Sequence, residues 1–189
     1  MELHTPRLLL RPYREADLAA VHRFASDRRL TEYVEWGPNT LQDSREFLAS
    51  CLAEEQQAPR LAFTFAVTTD DDGERADCGQ AGEPFGSVGL TLNGSGSGSG
   101  TAGSAGEVGY VLAADRWGRG YATEAAAAVV GFGFGTLGLN RITATCRPAN
   151  AASSRVLEKT GMVLEARLPA HKLIRGRWED SLLYAIAPS

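Results

Sequence analysis

No apolar run among the 189 residues is long enough to span a bilayer. The opening Met1-Glu2-Leu3-His4 lacks the basic and apolar regions of a signal peptide, so no secretory leader is expected. Positive charge is short as well. The 23 Asp and Glu residues outnumber the 19 Lys and Arg, leaving a net charge of −4, which argues against generic nucleic-acid binding. Cys51, Cys78 and Cys146 are odd in number and widely spaced. That argues against a disulfide framework or a zinc site and fits a reducing cytoplasm; no metal is expected. The Gly-Lys-Ser/Thr of a P-loop is missing, and so is the three-glycine dinucleotide fingerprint. The length fits a single domain, 1–189, large enough for one core.

What is present is one organising stretch. Residues 107–112 alternate apolar side chains and read as a strand. The loop Trp117-Gly118-Arg119-Gly120 follows, and Tyr121 opens an alanine-rich helix towards Leu137. A strand, a glycine loop and a helix N-terminus in that order suit an anion. The first N–H groups of a helix have no internal partner, and the helix dipole adds positive charge there. Glycines remove the Cβ atoms that would hold a phosphate off the backbone. Arg116 and Arg119 add full charges. The plainer alternative is a tight strand-to-helix turn.

The remaining elements follow from periodicity and punctuation. Residues 3–13 read as a first strand, with Pro6 at its start or edge. Helices are predicted over about 15–27 and from Thr40 or Asp43, as cap, to about 57. Strands are predicted over 61–69 and 85–92, with a polar hairpin tip at 70–84. The Gly/Ser stretch 93–106 is expected to be a poorly ordered loop inside the domain. A strand over 141–147, a short helix capped by Asn150, and two strands over about 162–172 and 178–187 complete the chain. The order of elements requires an α/β or α+β layered sheet.

Four segments then carry a resemblance. Thr5-Pro6-Arg7-Leu8-Leu9-Leu10-Arg11, the stretch from Gly109 through Ala125, Asn150-Ala151-Ala152-Ser153-Ser154-Arg155 with its helix to Met162, and Gly176-Arg177-Trp178-Glu179-Asp180-Ser181 resemble the GNAT superfamily of acetyl-CoA-dependent N-acetyltransferases. Within it they resemble the RimJ/RimL branch of ribosomal-protein N-terminal acetyltransferases. Trp117 stands where the superfamily often has Arg or Gln, and Met162 replaces the usual Phe.

The resemblance implies the GNAT fold: a twisted mixed sheet of about seven strands flanked by about four helices, with two splayed parallel strands at its centre. Acetyl-CoA would lie in the splay and an amine would attack it directly in a ternary complex. The acceptor would be a peptide N-terminus or a small-molecule amine. Val111, Leu112, Trp117, Gly118, Arg119, Gly120, Tyr121, Ala122, Thr123, Asn150 and Ser153 are the implied cofactor-binding residues. Ser153 is the implied proton donor to the leaving sulfur, with Asn150 beside it and Glu107 as the implied base. A homodimer through the C-terminal strands is the family expectation.

Each residue also has a plainer role: Asn150 as a helix cap, Ser153 as an ordinary first-turn serine, Glu107 as an exposed strand end. The alternative function is a non-catalytic acyl-CoA-binding sensor. The acceptor pocket is expected from residues 30–45, the 70–84 hairpin and the turn near Arg175. There Glu32, Glu35 and Asp43 would attract a cationic amine or serve as ordinary surface acids.

Overall fold

The computed structural model describes residues 1–69, 82–93 and 105–188. Most of the expected hairpin tip and of the Gly/Ser loop lies outside the described residues. The elements are β1 (Leu3–His4), β2 (Leu8–Arg11), α1 (Leu18–Ala25), α2 (Leu41–Glu54), β3 (Ala62–Thr69), β4 (Gly86–Asn93), β5 (Ala105–Leu112), α3 (Tyr121–Gly135), β6 (Arg141–Cys146), α4 (Ala151–Lys159), β7 (Val163–Ile174) and β8 (Arg177–Ile186). All eight strands join one sheet in the order β1-β2-β3-β4-β5-β6-β8-β7. Every neighbouring pair is antiparallel except β5 and β6.

The sheet has one strand more than expected, because residues 3–13 do not run as one strand. Leu3 and His4 fold back onto Leu10 and Leu9. The turn between them is set by Thr5, whose hydroxyl accepts from the Leu8 N–H at 2.9 Å, and by Pro6, which has no N–H for a ladder. The first helix also differs. Residues 15–17 form a separate 3-10 turn before α1. Asp17 there binds Arg11 in a buried two-pronged ion pair, 2.8 Å on each prong. The ends of the Gly/Ser stretch are strand, since Asn93 pairs with Ala105 and Leu92 with Gly106.

Alternation along the strands builds two cores. On one face, Leu8, Leu10, Phe65, Val88, Val108 and Ile142 pack beneath α3 and α4. On the other, Ala66 meets Tyr13, Val21, Phe24 and Leu48 from the α1 and α2 region. The small residues of α3 let it lie close. A Cβ on Gly133 would stand 2.6 Å from Ile142 Cδ1, so close approach of helix to sheet offsets the low helix propensity there.

The parallel pair determines the shape of the centre. β5 and β6 share a ladder only at Ala105–Arg141, Gly106–Ile142 and Glu107–Thr143. Beyond Glu107, β5 stays with β4 as far as Leu112, while β6 stays with β8 as far as Cys146. The sheet therefore forks, with Glu107 and Thr143 at the crotch. At the far edge β7 pairs with β8 through two register shifts, between Leu164 and Ala166 and between Leu168 and Lys172. Arg175 and Gly176, both at positive φ, turn β7 into β8.

Candidate active site

The fork opens into a cleft of about 1060 Å3 on the α1/α2 face. Residues 108–111 line one prong and residues 144–147 the other. Asn150, which caps α4, Ser153 within it, residues 33–39 ahead of α2, and side chains of α1, α2, β3 and β4 also line the cleft. The splayed strands predicted at the centre are therefore present, and the gap between them is a cavity.

The glycine loop ends at the N-terminus of α3. Gly120 is its N-cap at φ 81° and Gly118 lies at φ 74°. Nothing crowds a Cβ at Gly118, so backbone conformation, not lack of space, calls for glycine there. No side chain caps this helix, so its first N–H groups remain open to a ligand. The loop is braced from both sides. Trp117 donates its indole N–H to the Leu112 carbonyl at 2.7 Å, with its ring about half exposed. Arg7 donates to the Arg119 carbonyl at 3.0 Å and lies 4.8 Å over the Tyr121 ring.

Glu124, in the first turn of α3, receives Arg7 and the Thr5 hydroxyl. Burial works to raise the Glu124 carboxyl, but the hydrogen bonds from Thr5 and Arg7 outweigh it and hold the group below its ordinary value. The Leu112 side chain points into the core, so only its backbone faces a ligand. Of the expected cofactor residues, Val111, Asn150 and Ser153 line the cleft, while residues 112–123 gather beside it at the α3 terminus.

The N-terminus of α4 is built differently. Asn150 Oδ1 accepts from the Ser153 N–H at 3.0 Å and caps the helix. This places Ser153 in the first turn, facing β5. Its hydroxyl lies 2.8 Å from the Tyr110 hydroxyl, and the phenol also reaches the Ser153 carbonyl at 3.2 Å. Burial drives the Tyr110 phenol upward, against the pull of its bond to Ser153, so Tyr110 stays protonated and remains a donor. Its single proton serves either the Ser153 carbonyl or the Ser153 hydroxyl. Ser154 looks elsewhere, 3.4 Å from the sulfur of Cys146, whose thiol is raised by burial. Glu107 is exposed at the crotch, and its carboxylate accepts from the Thr145 hydroxyl at 3.2 Å.

The acceptor side agrees with part of the expectation. Glu35 and Asp43 line the cleft; Glu32 does not. Glu35 is paired with Lys172 at 3.0 Å, and Asp43 completes a capping box with Thr40. Arg175 does not line the cleft but clasps the segment that does, donating to the Thr31 and Glu32 carbonyls at 2.6 and 3.1 Å.

Two cleft residues escape sequence reasoning. Tyr110 looks like a core aromatic, because it shares the alternation phase of Val108 and Leu112. Arg147 looks like a strand end, and its one signal is a charged residue directly before Pro148. It is only 8% exposed, and its Nη1 has no hydrogen-bond partner among the described residues. Among the described residues no cluster of His, Cys, Asp and Glu is placed to hold a metal ion, and no helix is long and apolar enough to cross a membrane.

Comparison with known proteins places this geometry. A family model described as an acetyltransferase (GNAT) domain matches residues 7–163. The uncharacterized N-acetyltransferase YnaD of Bacillus subtilis (strain 168) is 31% identical over 186 residues, covering 98% of this chain and 96% of YnaD. Among solved structures, an acetyltransferase of the GNAT family from Bacillus anthracis superposes with a TM-score of 0.77 at 28% identity, covering 99% of this chain and 98% of that one. RimJ of Mycobacterium smegmatis, solved in complex with CoA-disulfide, gives 0.76 at 27% identity, covering 99% and 86%.

Proposed function

The chain belongs to the GNAT acetyltransferase family, and from that premise we propose that it transfers an acetyl group from acetyl-CoA to a primary amine by direct attack in a ternary complex. The observation that carries the reading is the uncapped N-terminus of α3, set beside the prong of a forked parallel pair. The residues present suit acetyl-CoA. The open N–H groups of Tyr121, Ala122 and Thr123 would take its phosphates, with Gly118 and Gly120 keeping Cβ atoms away. Past Glu107, the edge of β5 that faces the gap has no parallel partner strand, which leaves backbone groups for the amide arm, with Val111 and Asn150 alongside. Trp117 and Arg119 would flank the phosphates.

Bound acetyl-CoA supplies an activated thioester. The protein's part is to manage two protons and one developing charge. An amine attacks only when neutral, and Glu107 at the crotch would take its proton directly or through water. A backbone N–H of β5 would hold the oxyanion. The Ser153 hydroxyl, aimed by its contact with Tyr110, would donate to the leaving sulfur, and any proton it gives up would be replaced from water while Tyr110 keeps its own. A thiol ionises near pH 8.5, so this help is modest.

The acceptor would be a protein N-terminal α-amine, as in the RimJ/RimL branch, or a small-molecule amine. We read residues 1–189 as a single N-acetyltransferase domain of the cytoplasm, where the free thiols of Cys51 and Cys146 would stay reduced. We read it also as a homodimer through the β7–β8 hairpin, where Val163, Leu164, Leu173 and Trp178 are exposed. Light scattering that shows only monomer at micromolar concentration would remove the dimer. The transfer itself is tested by thiol release from acetyl-CoA over a panel of N-terminal peptides, polyamines and aminoglycosides. Release with at least one class is expected. Tight CoA binding with no release from any of them would leave the sensor reading instead.

A further inference from the structure

The cleft holds one buried charge that the transfer chemistry does not use. Arg147 follows the last residue of β6 and lines the same cleft as Glu107, Tyr110 and Ser153. It is buried, with no hydrogen-bond partner at Nη1 among the described residues. The other buried arginine among the described residues is satisfied: Arg11 holds both oxygens of Asp17 and donates to the carbonyls of Pro12 and Gly82. A guanidinium keeps its proton and presents a planar fork of donors. Taking it from water with no partner is unfavourable, so its position is best understood as one that a ligand completes. The fork matches a carboxylate or a phosphate, each of which it can hold with two parallel bonds.

The position of Arg147 narrows the choice of anion. Residues 117–123, which hold the phosphates in the proposed function, are absent from the cleft lining, so Arg147 stands apart from that site. The amide arm of acetyl-CoA carries no charge and could satisfy donors without compensating the guanidinium. Lys172, the other cation of the cleft, is already paired with Glu35. The carboxylates that line the cleft, Glu35, Asp43, Glu46 and Glu107, are exposed, whereas Arg147 is buried. The cleft therefore offers exposed acids to an ammonium and one buried base to an anion. Resting on the amine-transfer reading, we infer that the acceptor is an amine that also carries a carboxylate, and that Arg147 binds that carboxylate. Two sources share this chemistry: a free amino acid, and a peptide with Asp or Glu next to its N-terminus.

The test compares matched pairs that differ only in carboxylate against primary amide. One arm sets amino acids against amino amides. The other sets peptides with Glu at the second position against the same peptides with Gln. The wild type is expected to favour the carboxylate member of one arm by ~10- to 100-fold in kcat/KM, as the loss of a charge-assisted bond implies. Arg147→Met is expected to erase that preference through the KM of the acceptor, with the KM for acetyl-CoA within about twofold of wild type, and Arg147→Lys to restore part of it. Because Nη1 has no partner among the described residues, Arg147→Met is also expected to melt no lower than the wild type.

No preference in either arm, a preference that survives Arg147→Met, a change confined to the KM for acetyl-CoA, or a fall in melting temperature beyond ~3 °C would each overturn the assignment. A binding arm needs no turnover. N-acetyl amino acids and peptides are titrated, as acids and as amides, into the CoA-loaded protein, and the acids are expected to bind more tightly. Acid-selective binding without thiol release from any amine would sink the transfer reading and leave the carboxylate site standing. Thiol release with equal binding of acids and amides would do the reverse.

Discussion

α3 and α4 both begin beside the fork, but their N-termini are finished in opposite ways. α3 starts from Gly120 in a left-handed conformation with no side-chain cap. α4 starts from Asn150, whose side chain takes the Ser153 N–H. The first leaves donors and dipole available to a ligand. The second uses its donor internally and gains rigidity, which fixes Ser153 against Tyr110 across the gap. One end is open and the other is closed. A helix N-terminus can offer its donors to an anion only where no side chain takes them first, a condition that α3 meets and α4 does not.

The largest effect expected from disturbing this contrast is at the open end. Gly120→Glu puts a side chain at positive φ and a negative charge where phosphates would bind, and it should weaken acetyl-CoA binding more than ~100-fold by calorimetry. Retained binding would mean that the α3 terminus is an ordinary turn. Next is the aiming of α4. Ser153→Ala should lower kcat ~10- to 100-fold with little change in the KM for acetyl-CoA, at the low end for general-acid help. Ser154→Ala, which touches Cys146, should stay near wild type; damage there instead would move the role to Ser154.

Smaller effects concern the braces. Glu124→Gln weakens the tie between the Thr5–Arg7 turn and α3 and should cost about 1–2 kcal/mol at pH 7, discounted because Arg7 is half exposed. The Glu124 carboxyl is lowered in the folded protein, so its contribution is full above the ordinary carboxyl range and fades as pH falls through the folded value. The gap in melting temperature between wild type and variant should therefore narrow below about pH 4; a gap that widens with acid would reverse the assignment. The smallest effect is Asn150→Ala, about 1 kcal/mol from a lost cap by denaturant unfolding, together with weaker cofactor binding. A loss of stability alone would leave Asn150 as a cap and nothing more.

Most of this contrast is legible in the sequence because its signals are local. The alternation before Leu112, the glycines of the loop and the Asx residue before a helix are each read within a few positions, and the corresponding elements fall within a few residues of expectation. What is not legible depends on partners far along the chain. The Tyr110–Ser153 contact spans 43 positions and depends on the phase of β5 relative to α4. Whether Arg147 has a partner is decided by what lies across the cleft. The fold-back of β1 is lost in a run of leucines that reads as one strand, since Pro6 marks a break without giving its direction.

The uneven ladder of β7 also bears on how the protein keeps company with itself at high concentration. An outer strand of twelve residues offers unpaired backbone groups to any passing chain. The two register shifts, with Pro169 and the positive φ of Ala170 inside the second, leave no unbroken pairing with β8 longer than the three residues 166–168 or 172–174. At the opposite margin β1 is only two residues long. An intruding strand finds no lengthy straight template on either margin, so fibrillar growth by strand addition is discouraged. Copies of the molecule are left to meet through side chains such as Trp178.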